Sequence, residues 1–303
     1  MTGALIVDKP AGPSSHEVVA RVRRATGVAR VGHTGTLDPM ATGVLPLLFG
    51  QATRLARFLA ADVKVYEARI RLGFATDTYD AMGTPETASG VRAAAPDTAA
   101  VAAALAGFRG EIQQTPPPFS AKKIGGVRAY ELARRSQRVE PAPVKVTVHA
   151  LDLVRQDGSV VDVRVACSSG FYVRSLAHDL GIALGCGAHL EGLRRVRAGR
   201  FTIADAIALD RVEAEGPEVA NRLLPPDRVL EALPAVVLSE EAVRLVAHGH
   251  SVEGAEWIGP SDTPGAAGTG GASAVRLLDG RGRLLAVAEA RPGRVLHPIV
   301  VLK

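Results

Sequence analysis

The sequence predicts a mixed α+β architecture for roughly its first 235 residues and a small β unit after them. Three observations carry this. Residues 63–72 and Val160–Cys167 alternate apolar and polar side chains, the pattern of strands with one covered face. Segments of helical period, such as the one carrying Val18, Val19, Val22 and Ala25, are short and lie between the strands. Residues 236–303 hold only brief apolar runs (Ala274–Leu278, 284–288 and 299–302) punctuated by glycine.

In chain order, residues 4–7 form a short apolar strand, and Lys9-Pro10-Ala11-Gly12-Pro13 turns the chain. Ser14 or Ser15 caps the helix that follows, Glu17 suits its N-terminal dipole, and Gly27 ends it. Residues 31–46, VGHTGTLDPMATGVLP, show no amphipathic period and read as a Gly- and Thr-rich loop, the kind of segment that carries sites. In strand 63–72, Tyr66, Ala68, Ile70 and Leu72 share one face, and Glu67, Arg69 and Arg71 the other. Thr98–Ala106 is an alanine-rich helix ending at Gly107, and residues 113–121 are extended and Pro-rich. A loop and then a helix around 130–135 follow. Strands 144–154 and Val160–Cys167 come next, then a helix through Leu176, Leu180 and Leu184 closed by Gly185. Pro225-Pro226 marks the boundary, and 259–273 reads as a mobile loop of small residues.

Composition narrows the function. At 303 residues with 47% hydrophobic and 22% charged content, the chain can bury a core without a disulfide or metal staple. Cys167 and Cys186 have no CxxC partner, so they are expected to be small core residues in a reducing compartment. No run approaches the ~20 apolar residues of a membrane span, and Asp8 and Lys9 follow residues 4–7 at once, which excludes a signal-peptide core there. The expectation is a soluble, cytoplasmic protein.

The net charge is +5, and its distribution is uneven. Residues 236–303 hold 7 Lys+Arg and 7 Asp+Glu, which leaves 29 against 24 in residues 1–235. Lys122, Lys123, Arg128, Arg134, Arg135 and Arg138 crowd one stretch, and Arg194, Arg195, Arg197 and Arg200 a second. Basic clusters on a balanced protein point to a polyanion, and a solvated helix face is the competing explanation.

Taken alone, Asp38 before Pro39 is a turn residue and His33 a loop histidine. No GxxxxGK[ST] or GxGxxG occurs, so the glycines give only weak support to a nucleotide loop. The run GHTGTLDPMATGVLP, however, resembles the catalytic loop of the TruB-type tRNA pseudouridine synthases. The resemblance extends in order through LIVDKPAGPSSH, Lys64-Val65-Tyr66, QTPPPFSAKKIGGVRAYELAR, CSSGFYVRSLAHDLG and GCGAHLEGLRR, covering about residues 5–200. Many family members carry a small residue where this chain has Phe171, and loop 259–273 has no counterpart.

The resemblance implies a pseudouridine-synthase fold with a largely antiparallel central sheet over 1–235, a thumb-like RNA-binding insertion at about 116–140, and a small PUA-like module over 236–303. It implies isomerisation of the T-loop uridine at position 55 of tRNA, with no cofactor or metal, because the reaction exchanges neither electrons nor groups. Asp38 matches the nucleophile, and Arg174 the arginine expected to pair with it and keep it charged. Tyr66 matches the ring that stacks on the flipped uracil and takes part in the proton transfer, Tyr172 and Leu193 line the same pocket, and His33 and Lys9 complete the substrate-binding set. Lys122, Lys123, Arg128, Arg134, Arg194 and Arg195 are expected on phosphates. The partner expected is the T arm of tRNA, for a monomer with no obligate protein partner. A non-catalytic tRNA-binding or tRNA-folding protein on the same scaffold is the rival reading, and retention of the full carboxylate, arginine and tyrosine set speaks against it.

Overall fold

The computed structural model describes residues 1–60, 62–86, 96–119, 123–124, 127–128, 141–254, 257–258 and 274–302. Strand β1 (Gly3–Lys9) leads into helix α1 (Ser15–Thr26), then β2 (Val31–His33), β3 (Thr42–Phe49) and β4 (Lys64–Leu72). Helix α2 (Thr98–Ala106) precedes β5 (Gly110–Gln114), the two-residue strands β6 (Lys123–Ile124) and β7 (Val127–Arg128), β8 (Val144–Asp157) and β9 (Val160–Cys167). Helix α3 (Val173–Ala183), β10 (Ala188–Ala198), β11 (Phe201–Thr202), β12 (Ile207–Ala208) and α4 (Leu209–Glu215) follow.

Ten of these strands form one sheet in the order β12-β1-β3-β10-β4-β9-β8-β5, with β2 beside β3 and β11 beside β10, while β6 and β7 pair only with each other. Every pairing is antiparallel except β1 with β12 and β3 with β10. The largely antiparallel sheet expected from the sequence is therefore present.

The local chemistry explains the elements. Ser14 and Glu17 make a reciprocal capping box at the start of α1, and Gly27 closes it in the left-handed region at φ 70°. In β4 and β9 the expected alternation holds: Tyr66, Ala68, Ile70, Val161, Val163 and Val165 are buried against α1 and α3 in one core. The other face of β4 carries Arg69 on Asp162 and Arg71 on Glu191. The segment 31–46 is not one loop. Its ends are β2 and β3, and β3 is buried on both faces, so it shows a continuous apolar run instead of a period. Strand β10 also escapes a period-two reading. It carries register shifts at Leu190/Gly192 and Arg195/Arg197, and it buries an arginine.

A second, six-stranded sheet is built from β13 (Ala235–Leu238), β14 (Val252–Glu253), β15 (Trp257–Ile258), β16 (Ala274–Leu278), β17 (Leu284–Arg291) and β18 (Val295–Val301), with helix α5 (Glu240–Ala247) against it. Ala286 and Ala288 of β17 face α5, whereas Val287 packs with Ala4, Ile6, Val44 and Leu48 on the back of β1 and β3. The second sheet thus props the strands that carry the 31–46 segment. The 259–273 loop lies outside the described residues, as do residues 120–122, 125–126 and 129–140 of the expected thumb.

Candidate active site

Residues 34–41 connect β2 to β3 and carry Asp38 into a cleft of about 280 Å³. Its walls include Thr34 to Asp38, Lys64 and Tyr66 of β4, Phe171 to Arg174 at the head of α3, and Leu193 and Arg195 of β10. That volume lies near the lower end of the ~300–1,000 Å³ of small-molecule sites, a fit for one base and its sugar.

Arg174 sits in the first turn of α3, with its side chain 7% exposed against 32% for Asp38. Its Nη2 donates to Asp38 Oδ1 at 3.0 Å, and its Nε stands 2.9 Å from Oδ2 but off the N–H axis. The two terminal nitrogens of the guanidinium have further partners. Nη2 also donates to the Phe119 carbonyl at 3.0 Å and Nη1 to the Thr78 carbonyl at 3.3 Å, while Asp80 Oδ2 lies 3.6 Å from Nη1. A fork held at this many points fixes the carboxylate's direction as well as its charge environment.

The head of α3 is itself clamped. Gln114 at the end of β5 accepts the Tyr172 N–H at 2.8 Å and donates to the Tyr172 carbonyl at 3.1 Å, and Ser175 donates to the Thr115 carbonyl at 2.7 Å. Asp80 is buried and accepts from the Thr78 hydroxyl at 2.7 Å and the Met82 N–H at 3.0 Å. Tyr79, at φ 64°, stacks on His178 of α3 with ring centroids 3.7 Å apart. Gln114, Asp80 and Ser175 are parts of the site that the sequence reading did not single out. Asp80 stands in Asp77-Thr78-Tyr79-Asp80, which reads as an ordinary turn.

Asp38, Tyr66, Tyr172, Arg174 and Leu193 come together around one cleft. Burial raises the pKa of the Tyr66 phenol, against the opposing charge of the nearby Arg195 guanidinium. His33 stands outside the cleft wall with its ring edge-on to His16 at 5.0 Å. Burial, reinforced by His16 and Arg195, lowers its pKa to about 4, so it is neutral at pH 7.

Two expected roles need correction. Lys9 does not face substrate: it is fully buried, and its Nζ donates to the carbonyls of Pro10, Pro39 and Ala41 at 2.8, 3.1 and 2.7 Å. It fastens the loop from below, and burial lowers its pKa to about 8 despite the nearby Asp38 charge. Arg195 is not a phosphate ligand either. It is 1% exposed, and its side chain donates to the carbonyls of Val44 at 2.7 Å, Gly35 at 3.1 Å and Thr36 at 3.4 Å. Arg194, on the opposite face of β10, stays partly exposed and pairs with Asp8 at 2.8 Å, so its expected place on a phosphate is not contradicted. Lys122 and Arg134 lie outside the described residues, and so do the side chains of Lys123 and Arg128. Among the described residues no group of three or more His, Cys, Asp or Glu could hold a metal ion, and no helix is long and apolar enough to cross a membrane.

Comparison with known proteins gives this geometry a lineage. Residues 23–173 match the model described as "TruB family pseudouridylate synthase (N terminal domain)", and 174–231 that of "tRNA pseudouridylate synthase B C-terminal domain". The chain is 47% identical to the tRNA pseudouridine synthase B of Thermobifida fusca, over 99% of this chain and 98% of that one. It is 40% identical to the protein of that name from Solibacter usitatus over the full length of both. Among solved structures, an H/ACA ribonucleoprotein bound to a substrate RNA containing 2'-deoxyuridine superposes with TM-score 0.74 at 26% identity, covering 99% of this chain and 85% of that one.

Proposed function

Because the chain belongs to the TruB family of pseudouridylate synthases, we propose that it isomerises the T-loop uridine of tRNA, at position 55, to pseudouridine. One observation carries the residue assignment: a partly exposed carboxylate, Asp38, is held by the buried guanidinium of Arg174 in a cleft walled by Tyr66, Tyr172 and Leu193. The target base leaves its stack and enters this cleft, at a cost of a few kcal/mol that stacking on an aromatic ring offsets by about 1–3 kcal/mol.

Asp38 acts as the nucleophile and forms a transient covalent bond with the nucleotide. The N1–C1′ bond breaks, the uracil turns, and C5 bonds to C1′. The proton on C5 is lost and N1 gains one, so reactant and product have the same composition and no cofactor is consumed. Tyr66 stacks on the base and lies where the C5 proton is exchanged. Leu193 closes the apolar side of the cleft, and His33 stands beside it to meet the loop nucleotides. The basic 116–140 insertion grips the T-arm phosphates, and the 236–303 module supports the catalytic part, which spans 1–235. The tRNA is bound by a single copy of the chain.

Incubation with unmodified tRNA transcripts, one natural and one with the T-loop uridine replaced by cytidine, tests this reading. Pseudouridine mapped to position 55 of the first alone is the expected result. Product at another uridine, or none, sinks it. Asp38→Asn should abolish product while tRNA affinity stays within a few-fold of the parent.

A further inference from the structure

We propose that Arg195 is a positioning residue that ties the Asp38 loop to the Tyr66 wall, so that nucleophile and stacking ring hold one fixed geometry. The proposal rests on the pseudouridine synthase reading above.

The case begins with topology. Strand β10 lies between β3 and β4, and Arg195 is the residue of β10 whose backbone faces Gly43 on one side and Tyr66 on the other. The loop that carries Asp38 ends in β3, and the aromatic wall stands on β4. Arg195 is thus the strand position shared by both halves of the site.

Its side chain repeats this bridging. The guanidinium donates to the Gly35, Thr36 and Val44 carbonyls, which flank Asp38 on both sides in sequence. Tyr66 is the cross-strand partner of Arg195 on β4, and directly opposed residues on one face have Cβ atoms about 4.5–5.5 Å apart, so the two side chains stand side by side. Both side chains line the cleft.

Burial is the second argument. Among the described residues no carboxylate pairs with Arg195, although it is 1% exposed. An unpaired buried cation opposes folding unless several dipoles satisfy it. Here those dipoles are the carbonyls of the loop that must be held still. Lys9 holds the remainder of the same loop in the same way, through Pro39 and Ala41. Two buried cations therefore pin the loop, and of these Arg195 also pairs across the strand with Tyr66 of the base wall.

Arg195→Met, Arg195→Lys, Tyr66→Phe and the double variant Arg195→Lys/Tyr66→Phe would be assayed on a tRNA transcript for single-turnover pseudouridine formation, tRNA affinity and melting temperature. Misplacing reacting groups by about 1 Å costs on the order of 100-fold in rate, so a loss of that order is expected for Arg195→Met, with tRNA affinity within about threefold of the parent. Arg195→Lys, which keeps the charge but not the fork, should fall in between and retain its melting temperature within a few degrees. The double variant should lose less than the product of the single losses, because cross-strand neighbours that shape one wall are energetically coupled. If Arg195→Met does not fold, Arg195→Lys decides alone. A parental rate for Arg195→Lys, or weakened tRNA affinity with the single-turnover rate unchanged, overturns the proposal. A parent enzyme that makes no pseudouridine overturns the functional reading instead.

Discussion

The hydroxyl of Ser15 accepts the Leu37 N–H at 2.8 Å and donates to the Leu37 carbonyl at 3.0 Å. One side chain at the start of α1 thus satisfies both backbone groups of the residue before Asp38. With Lys9 and Arg195 it makes a third anchor for the loop, from a third element. A carboxylate that must meet a base within a fraction of an ångström needs this, because a loop of small residues has little packing of its own to hold it.

Ser15→Ala leaves two buried backbone groups unpaired, which costs on the order of 1–3 kcal/mol. Denaturant unfolding should show that loss as a lower midpoint with an unchanged slope. Turnover should fall while tRNA affinity holds, since Ser15 touches only the loop. An unaltered midpoint would remove Ser15 from the anchoring set.

Asp80→Asn keeps the shape of the turn around Thr78 and Met82 but deletes the charge 3.6 Å from Arg174. Arg174 then has Asp38 as its sole carboxylate partner among the described residues, and the fork loses one of the groups that orient it. We expect single-turnover rates to drop by about tenfold or more, with binding little changed. Loss of tRNA affinity without loss of rate would place Asp80 at the RNA instead.

What the sequence made legible, and what it hid, follows from the geometry of strands. Asp38, Tyr66, Tyr172, Arg174 and Leu193 sit in ordered motif strings, and the cleft gathers them all. Arg194 and Arg195 belong to one basic cluster in the sequence, yet neighbours on a strand face opposite ways. One is an ion-paired surface residue and the other a buried fastener. Strand β10 itself was hidden because its register shifts and buried Arg195 break the alternation. Lys9 is misplaced by the motif reading, since only the fold reveals that three carbonyls surround its ammonium.

His33 makes stability depend on acid. Its unfolded imidazole titrates near 6.5 and the folded one near 4, so between those values the unfolded chain binds the extra proton. Stability is therefore lost as pH falls through this window, by on the order of 1–2 kcal/mol once the ring's partial exposure is discounted. Melting temperatures between pH 7 and pH 4 should decline less steeply for His33→Gln than for the parent. Parallel curves for the two proteins would show that other groups govern the acid response.

Gly43 offers a test of the close approach between β3 and β10. Its φ is 101°, and a Cβ there would lie 2.2 Å from the Arg195 carbonyl oxygen and 2.9 Å from the Arg195 nitrogen. These are backbone atoms of a central strand and cannot rotate away, so Gly43→Ala must push β3 and β10 apart. Backbone strain alone costs about 1–3 kcal/mol, and the lost pairing adds to it. Gly192→Ala in the same sheet is the natural control: its nearest atom is the Arg69 Cβ at 3.6 Å, an ordinary contact. Urea unfolding should show a large fall in midpoint for Gly43→Ala, or no folded protein at all, and a small one for Gly192→Ala. Equal tolerance of both substitutions would mean that β10 is not pressed against the loop strand, and the anchoring role given to Arg195 would fall with it.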